Sequence, residues 1–294
     1  MAHITVLKEE AVNSLTLNSN SVVVDCTLGA GGHAAEIIKH LDKSGVYVGI
    51  DADITAIDSL ESLKKSACTV HLVHSNFSQL TEVLEKLELK PDAILADLGW
   101  RSEQFEDVAK GFSFNKDEPL IMTYGNPESH VFTAGDIVND WAEESIADVI
   151  YGYGGEQFSR RIAKAISIAR KEADITTAKQ LAGIVEDAVP GFYRKGRIHP
   201  ATKTFQALRI AVNDELGVLR TLLQDGFDSL ASDGKMAIIT FHSLEDKIVK
   251  EFFREIARDE KGVRITKKPI IATDEELKSN PRARSAKLRV VQKF

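Results

Sequence analysis

Cysteine is scarce in this 294-residue chain, which has only Cys26 and Cys68. They lie far apart and match no metal-ligand or redox spacing, so a cysteine-built metal or dithiol centre is excluded and a reducing compartment fits. Cys26 falls in an apolar run and reads as packing. No apolar run approaches the roughly 18 residues that a membrane span needs. Met1 to Glu10 is mixed and charged, unlike a secretion signal. The expected setting is cytoplasmic, with no membrane partner. Internal repeats and low-complexity segments are also missing. So is an overall excess of positive charge: the formal net charge is −7, which does not advertise nucleic-acid binding. Its distribution does. Residues 261–294 hold ten Lys/Arg against three Asp/Glu, and Arg194, Lys195, Arg197, Lys203 and Arg209 have no acidic residue between them. Two such clusters point to a polyanion. With 43% hydrophobic residues the chain can build a core, as one large domain or two ordinary ones.

What is present is organised around Val22 to His33. Val22-Val23-Val24 reads as a strand buried on both faces. Gly29, Gly31 and Gly32 then fall within four residues. After them Ala34, Ile37, Ile38 and Leu41 recur along one face of a helix. Strand, glycine turn and helix start make a site where a ligand can approach bare backbone N–H groups. The next strand, Val46 to Ile50, ends in Asp51, twenty residues after Gly31. A carboxylate at that offset can accept hydrogen bonds from a ribose diol. Together they indicate an adenosine-containing cofactor, either a dinucleotide or S-adenosylmethionine.

Strand-like runs at 22–28, 46–50, 69–74 and 92–97 alternate with helical patterns such as Thr55 to Lys65 and Gln79 to Leu87. Alternation of this kind predicts a parallel sheet with helices on both faces. Ligands bind beyond the carboxyl ends of such strands, an edge that collects Gly29, Gly31, Asp51, Asn76-Phe77 and Asp97. From about residue 105 to 205 helical periods replace the strands. Phe158, Ile162, Ala165, Ile166 and Ala169 share a face. So do Leu181, Ile184, Val185 and Ala188, after cap candidates Thr176 and Thr177. Pro200 suits the first turn of a return helix carrying Phe205, Leu208, Val212, Leu216 and Leu219. Strands resume at 236–241, 263–266 and 288–291. The expected fold is α/β: a mostly parallel seven-stranded sheet with an antiparallel edge hairpin, the Rossmann-like class I methyltransferase layout. Residues 1–105 and 206–294 are expected to form that discontinuous domain, and 106–205 an inserted all-helical substrate-recognition domain.

The fourth strand ends in Asp97-Leu98-Gly99-Trp100. The lone pair of an exocyclic amine on a base is delocalised into the ring, which makes it a poor nucleophile. A carboxylate accepting its N–H would localise that pair and relieve the charge that develops, and a neighbouring indole could stack on a base taken out of its helix. Equally, Asp97 could cap a turn and Trp100 could pack beneath the insert.

The chain resembles the bacterial 16S ribosomal RNA cytosine-N4 methyltransferases of the RsmH (MraW) type, nearly end to end. The resemblance rests on Gly31-Gly32-His33, Asp97-Leu98-Gly99, Lys110-Gly111-Phe112-Ser113-Phe114 and Arg160-Arg161-Ile162-Ala163. It rests further on Ile198 to Ile210, Phe241 to Asp246 and Asn280 to Arg289, which are long and family-specific. It implies that Gly31, Gly32, His33, Asp51, Phe77, Asp97 and Gln104 line an S-adenosylmethionine site; Gly29 of the same turn joins them on the reading of the glycine turn, and Asp97 is the candidate catalytic acceptor on the argument above. It implies direct methyl transfer to N4 of a decoding-centre cytidine in 16S rRNA of the small ribosomal subunit, without a covalent cysteine adduct and without a metal. His199, Phe241, His242 and Ser243 are candidates for the RNA-facing rim, with Trp100 as a stacking group. Lys203, Arg209, Arg282, Arg284 and Lys287 are candidate contacts from the two basic clusters. A homodimer is left open. The chain departs from the family pattern at Trp100-Arg101-Ser102-Glu103-Gln104, where the family has Val-Ser-Ser-Pro-Gln. It departs again at Ile121 and Thr123, where the family has Asp and Arg. Two other readings stand beside this one. Gly29-x-Gly31-x-x-Ala34 also satisfies the dinucleotide fingerprint of an NAD-dependent oxidoreductase, although no tyrosine here has a lysine four residues later. The altered 100–124 stretch suits a non-catalytic RNA-binding or assembly factor on the same scaffold.

Overall fold

Alternation within the strands decides the architecture. In the computed structural model, which describes residues 4–98 and 109–294, seven strands form one sheet: β1 (Val22–Asp25), β2 (Val46–Asp51), β3 (Thr69–His74), β4 (Ala93–Asp97), β5 (Lys235–Thr240), β6 (Gly262–Arg264) and β7 (Lys287–Lys293). Their order is β3-β2-β1-β4-β5-β7-β6. The first five run parallel, and β7 is antiparallel to both β5 and β6. Side chains one residue apart point to opposite faces. Val23, Tyr47, Leu95, Ala237 and Ile239 therefore pack with the helices Lys8–Leu15 and Gly32–Lys39. Val24, Val48, Ile94, Ile238 and Met236 pack on the other side with Leu80–Leu87, Glu215–Ser229 and Ser243–Arg258. Both faces are covered, which is why these strands read as continuous apolar runs. The final antiparallel pair is present, but a long connection carrying the helix Asp274–Ser279 joins its strands instead of a tight turn.

The described residues divide into two compact units, 4–98 with 216–294, and 109–215. The second unit is helical, with its own core of Leu120, Met122, Ile137, Ile150, Ile162, Ile166, Leu181 and Phe205. Thr177 caps the helix Ala178–Ala188 in a reciprocal box with Gln180. The return boundary falls after residue 215, not at 205/206. The expected helix through Phe205 and Leu219 is in fact two, Ala201–Val212 and Glu215–Ser229. Asp214 between them has φ 45°, outside the helical region. Beside it the Asn213 amide donates to the Met122 and Arg209 carbonyls and accepts from Tyr124 N–H, so this turn is tied into the helical unit. The pattern over Thr55 to Lys65 likewise becomes a short α-helix, Ile54–Ser59, and a 3₁₀ turn, Glu61–Lys65.

Candidate active site

The strand order reverses at β1, whose neighbours are β2 on one side and β4 on the other. Such a switch point opens a crevice at the carboxyl ends of the strands. Gly29 and Gly31 lie there with φ 53° and 76°. At Gly31 only glycine is comfortable, because a Cβ would also sit 2.8 Å from the Leu60 methyls. Gly31 is the N-cap of the helix Gly32–Lys39, and no side chain caps that end. The helix start is thus directed at the crevice without a competing side-chain acceptor.

Asp51 ends β2 and does two things at once. Its Oδ2 accepts from Gly29 N–H at 2.8 Å and its Oδ1 from Asp53 N–H at 2.9 Å. These two bonds orient the carboxylate at the carboxyl end of β2, where the sequence offset expects a diol. The sequence offset suggested the diol; the bracing of the glycine turn is visible only in the fold. Asp97 ends β4. Its N–H donates to Thr27 Oγ1 at 2.7 Å, and its Oδ2 lies 3.9 Å from His33 Nδ1. His33 is on the first turn of the helix after the glycines, so β1, β4 and that helix converge on one carboxylate. Phe77 follows β3 in a short 3₁₀ turn capped by Asn76, half-buried against the core. Gly29, Gly31, Gly32, His33, Asp51, Phe77 and Asp97 therefore share one edge of the sheet. Trp100 and Gln104 lie outside the described residues.

Beneath this edge is a network that periodicity did not single out. Asp25 is buried at the end of β1. Its Oδ1 accepts from Thr27 N–H at 3.1 Å and its Oδ2 from the Tyr47 hydroxyl at 3.0 Å. Thr27 in turn holds Asp97, so Tyr47, Asp25, Thr27 and Asp97 form a connected chain. Burial pushes the Asp25 carboxyl up to about 6, against the lowering effect of its two hydrogen bonds. Burial also raises the Tyr47 hydroxyl and the Cys26 thiol, which fits a packing role for Cys26. The one signal in the sequence was a carboxylate closing the run Val22-Val23-Val24, where an unpaired charge would be costly.

The structure gives several expected RNA contacts other partners. His242 caps the helix Ser243–Arg258: its ring accepts from Glu245 N–H, and Glu245 returns a carboxylate to the backbone of Phe241 and His242. Lys287 and Arg289 both bind Asp246, at 3.0 and 2.7 Å. Burial alone would raise the Asp246 carboxyl, but the two cations outweigh it and hold it below the ordinary range. Arg209 forms a two-pronged pair with Glu215, which also accepts from the Tyr124 hydroxyl. Lys203 donates to the Gly155 carbonyl near the buried Glu156. Ser243, Arg282 and Arg284 are exposed, and so is His199, whose ring stacks on Phe114 with centroids 4.4 Å apart. In the Lys110 to Phe114 motif, Gly111 has φ 75°, and any Cβ there would collide with the Pro119 carbonyl. Phe112, Phe114, Met122, Phe205, Gln206 and Arg209 of the helical unit line a cavity of about 230 Å³. No helix among the described residues is long and apolar enough to cross a membrane.

The MraW methylase family matches residues 1–294. A protein named Ribosomal RNA small subunit methyltransferase H from Clostridium botulinum (strain Loch Maree / Type A3) is 43% identical over 309 positions, covering 99% of each chain. Proteins of the same name from Acetivibrio thermocellus and Clostridioides difficile (strain 630) are 43% and 40% identical, again over 99% of both chains.

Proposed function

Because the chain belongs to the MraW methylase family, we propose that it transfers a methyl group to RNA of the small ribosomal subunit, at N4 of a decoding-centre cytidine in 16S rRNA. The reaction is placed in the cytoplasm. The observation that carries this reading is the convergence of the glycine turn, Asp51 and Asp97 on one edge of a seven-stranded sheet whose last strand is antiparallel. S-adenosylmethionine supplies an electrophilic methyl carbon when bound. Gly29 to His33 and Asp51 hold its adenosine and methionine parts. Asp97 accepts one N–H of the cytosine amine and so concentrates the nitrogen lone pair for attack. The same carboxylate offsets the positive charge that develops on nitrogen and receives the proton that must leave. Thr27, through Asp97 N–H, and His33 keep that carboxylate in place.

The decisive test incubates the protein with tritiated S-adenosylmethionine and small subunits lacking the modification. Label in N4-methylcytidine of 16S rRNA is expected. Cofactor and subunit binding without label would favour an assembly factor, and NAD binding without S-adenosylmethionine binding would favour an oxidoreductase. Within the site, Asp51→Ala is expected to weaken S-adenosylmethionine binding by roughly 10- to 150-fold, corresponding to about 1.5–3 kcal/mol for a charged acceptor. Calorimetry showing unchanged affinity would remove the ribose assignment.

A further inference from the structure

The stretch from Gly191 to His199 belongs to the helical unit and is built in an unusual way. Its two adjacent aromatics both meet Phe158 edge-on, Phe192 at 6.4 Å, but differ in anchoring and exposure. Tyr193 is anchored: its hydroxyl donates to the fully buried Glu156 at 2.6 Å, and its ring meets Phe158 edge-on at 5.0 Å. Glu156 also accepts from Phe158 N–H, so the anchor is itself braced. Burial and the Glu156 carboxylate push the Tyr193 hydroxyl up to about 12, so it remains a donor across the physiological range. Phe192, one residue earlier, is left 74% exposed. Beyond the anchor come Arg194, Lys195 and Arg197, all exposed, then Ile198 at 59% exposure and His199. No acidic residue occurs from 188 to 213. Among the described residues, the one acid in an ion pair with these cations is Asp187, 3.3 Å from Arg194. His199 stacks on Phe114 with an interplanar angle of 14°, so one face of its ring is backed by the phenyl.

A rigidly anchored turn thus presents an exposed phenyl face, three cations and an exposed imidazole within eight residues. Cations alone would suit any polyanion. Exposed ring faces among them suit unpaired bases, because in a duplex the base faces are already stacked. We propose that Phe192 and His199 are stacking platforms for nucleobases of a single-stranded RNA segment, with Arg194, Lys195 and Arg197 on its phosphates. This deepens the RNA reading above and rests on it.

The full-length protein is titrated with a 12-nucleotide single-stranded RNA carrying 2-aminopurine, and with the matching duplex. The wild type should prefer the single strand and quench its fluorescence through stacking. Phe192→Ala should weaken binding by roughly 5- to 150-fold and reduce the quench, as expected for loss of one base–aromatic stack. Phe192→Trp should restore both. Replacing Arg194, Lys195 and Arg197 by Gln should lower the salt slope of binding by up to about 2 while the quench persists, at about 0.7 per phosphate contact on a single strand. Phe192 is exposed, so the melting temperature should not move. Equal binding and quench in Phe192→Ala, or preference for the duplex, would overturn the proposal. So would self-association that Phe192→Ala abolishes, which would make the patch a contact between copies. Methyl transfer to the small subunit is scored separately. Stacking without transfer sinks the catalytic reading alone, and transfer without stacking sinks this one alone.

Discussion

Replacing Asp97 by asparagine removes one negative charge and almost no volume. The amide can still accept one hydrogen bond, but it cannot offset a developing positive charge. Losing one such contact typically costs about 10²–10³ in rate, so single-turnover methyl transfer by Asp97→Asn should fall by that much, with cofactor affinity falling less. A rate within about threefold of wild type would remove Asp97 as the acceptor. Asp25 carries a different prediction. Its carboxyl has an ordinary value of 3.8 and titrates near 6 when folded. Between those values the folded state holds a proton that the unfolded state has released. Stability from this group is therefore complete below about pH 4 and is lost as pH rises through about 6. Urea unfolding of Asp25→Asn across pH 4 to 7 should give a flatter profile than wild type. Absolute stability should fall as well, because asparagine turns one of the two oxygens that accept from Thr27 and Tyr47 into an NH2 donor. An unchanged pH slope would show that Asp25 is not the titrating group.

Among the elements, the helix Ser243–Arg258 gives a family-specific motif a structural role. Phe241 to Asp246 is family-specific, and His242 reads as a functional histidine. In the fold it is the N-cap in a reciprocal arrangement with Glu245, and Asp246 is the anion for Lys287 and Arg289. His242→Ala should therefore lower unfolding stability by about 0.5–2 kcal/mol, the usual cost of losing a cap, with RNA affinity unchanged. His242→Asn should recover most of that stability. A loss of RNA affinity without a stability change would return His242 to the RNA-facing rim.

The whole molecule separates its charge along the chain: the last 34 residues are basic while the chain as a whole is acidic. The fold then sorts those basic residues by use. Arg282 and Arg284 are exposed with no ion pair among the described residues, whereas Lys287 and Arg289 are consumed by Asp246. Replacing Arg282 and Arg284 by Gln should lower the salt slope of RNA binding by about 1–2 if both reach phosphates, at unchanged melting temperature. Lys287→Glu should do the reverse, lowering the melting temperature and leaving the slope intact. A slope unmoved by the Arg282 and Arg284 substitutions would take the tail out of the RNA surface.

Strand content, glycine turn, helical insert and the spacing of Asp51 were all legible in the sequence, because each is a local pattern. Period-2 and period-3.6 burial, and the demand for glycine where φ is positive, act over a few residues. Long family-specific runs such as Ile198 to Ile210 carried the rest of the reading. Tertiary structure alone decided which charged groups are available. Whether Lys287, Arg209 or His242 faces solvent depends on an anion or backbone amide that packing brings to it, from 41 residues away in the case of Lys287 and Asp246. The same holds for Asp25, whose partner Tyr47 is on the neighbouring strand, and for the break at Asp214, where Asn213 is held by Met122 and Tyr124. Hydrogen bonds and ion pairs act over about 3 Å in space, and amphipathic periodicity is blind to which distant residue will occupy that space.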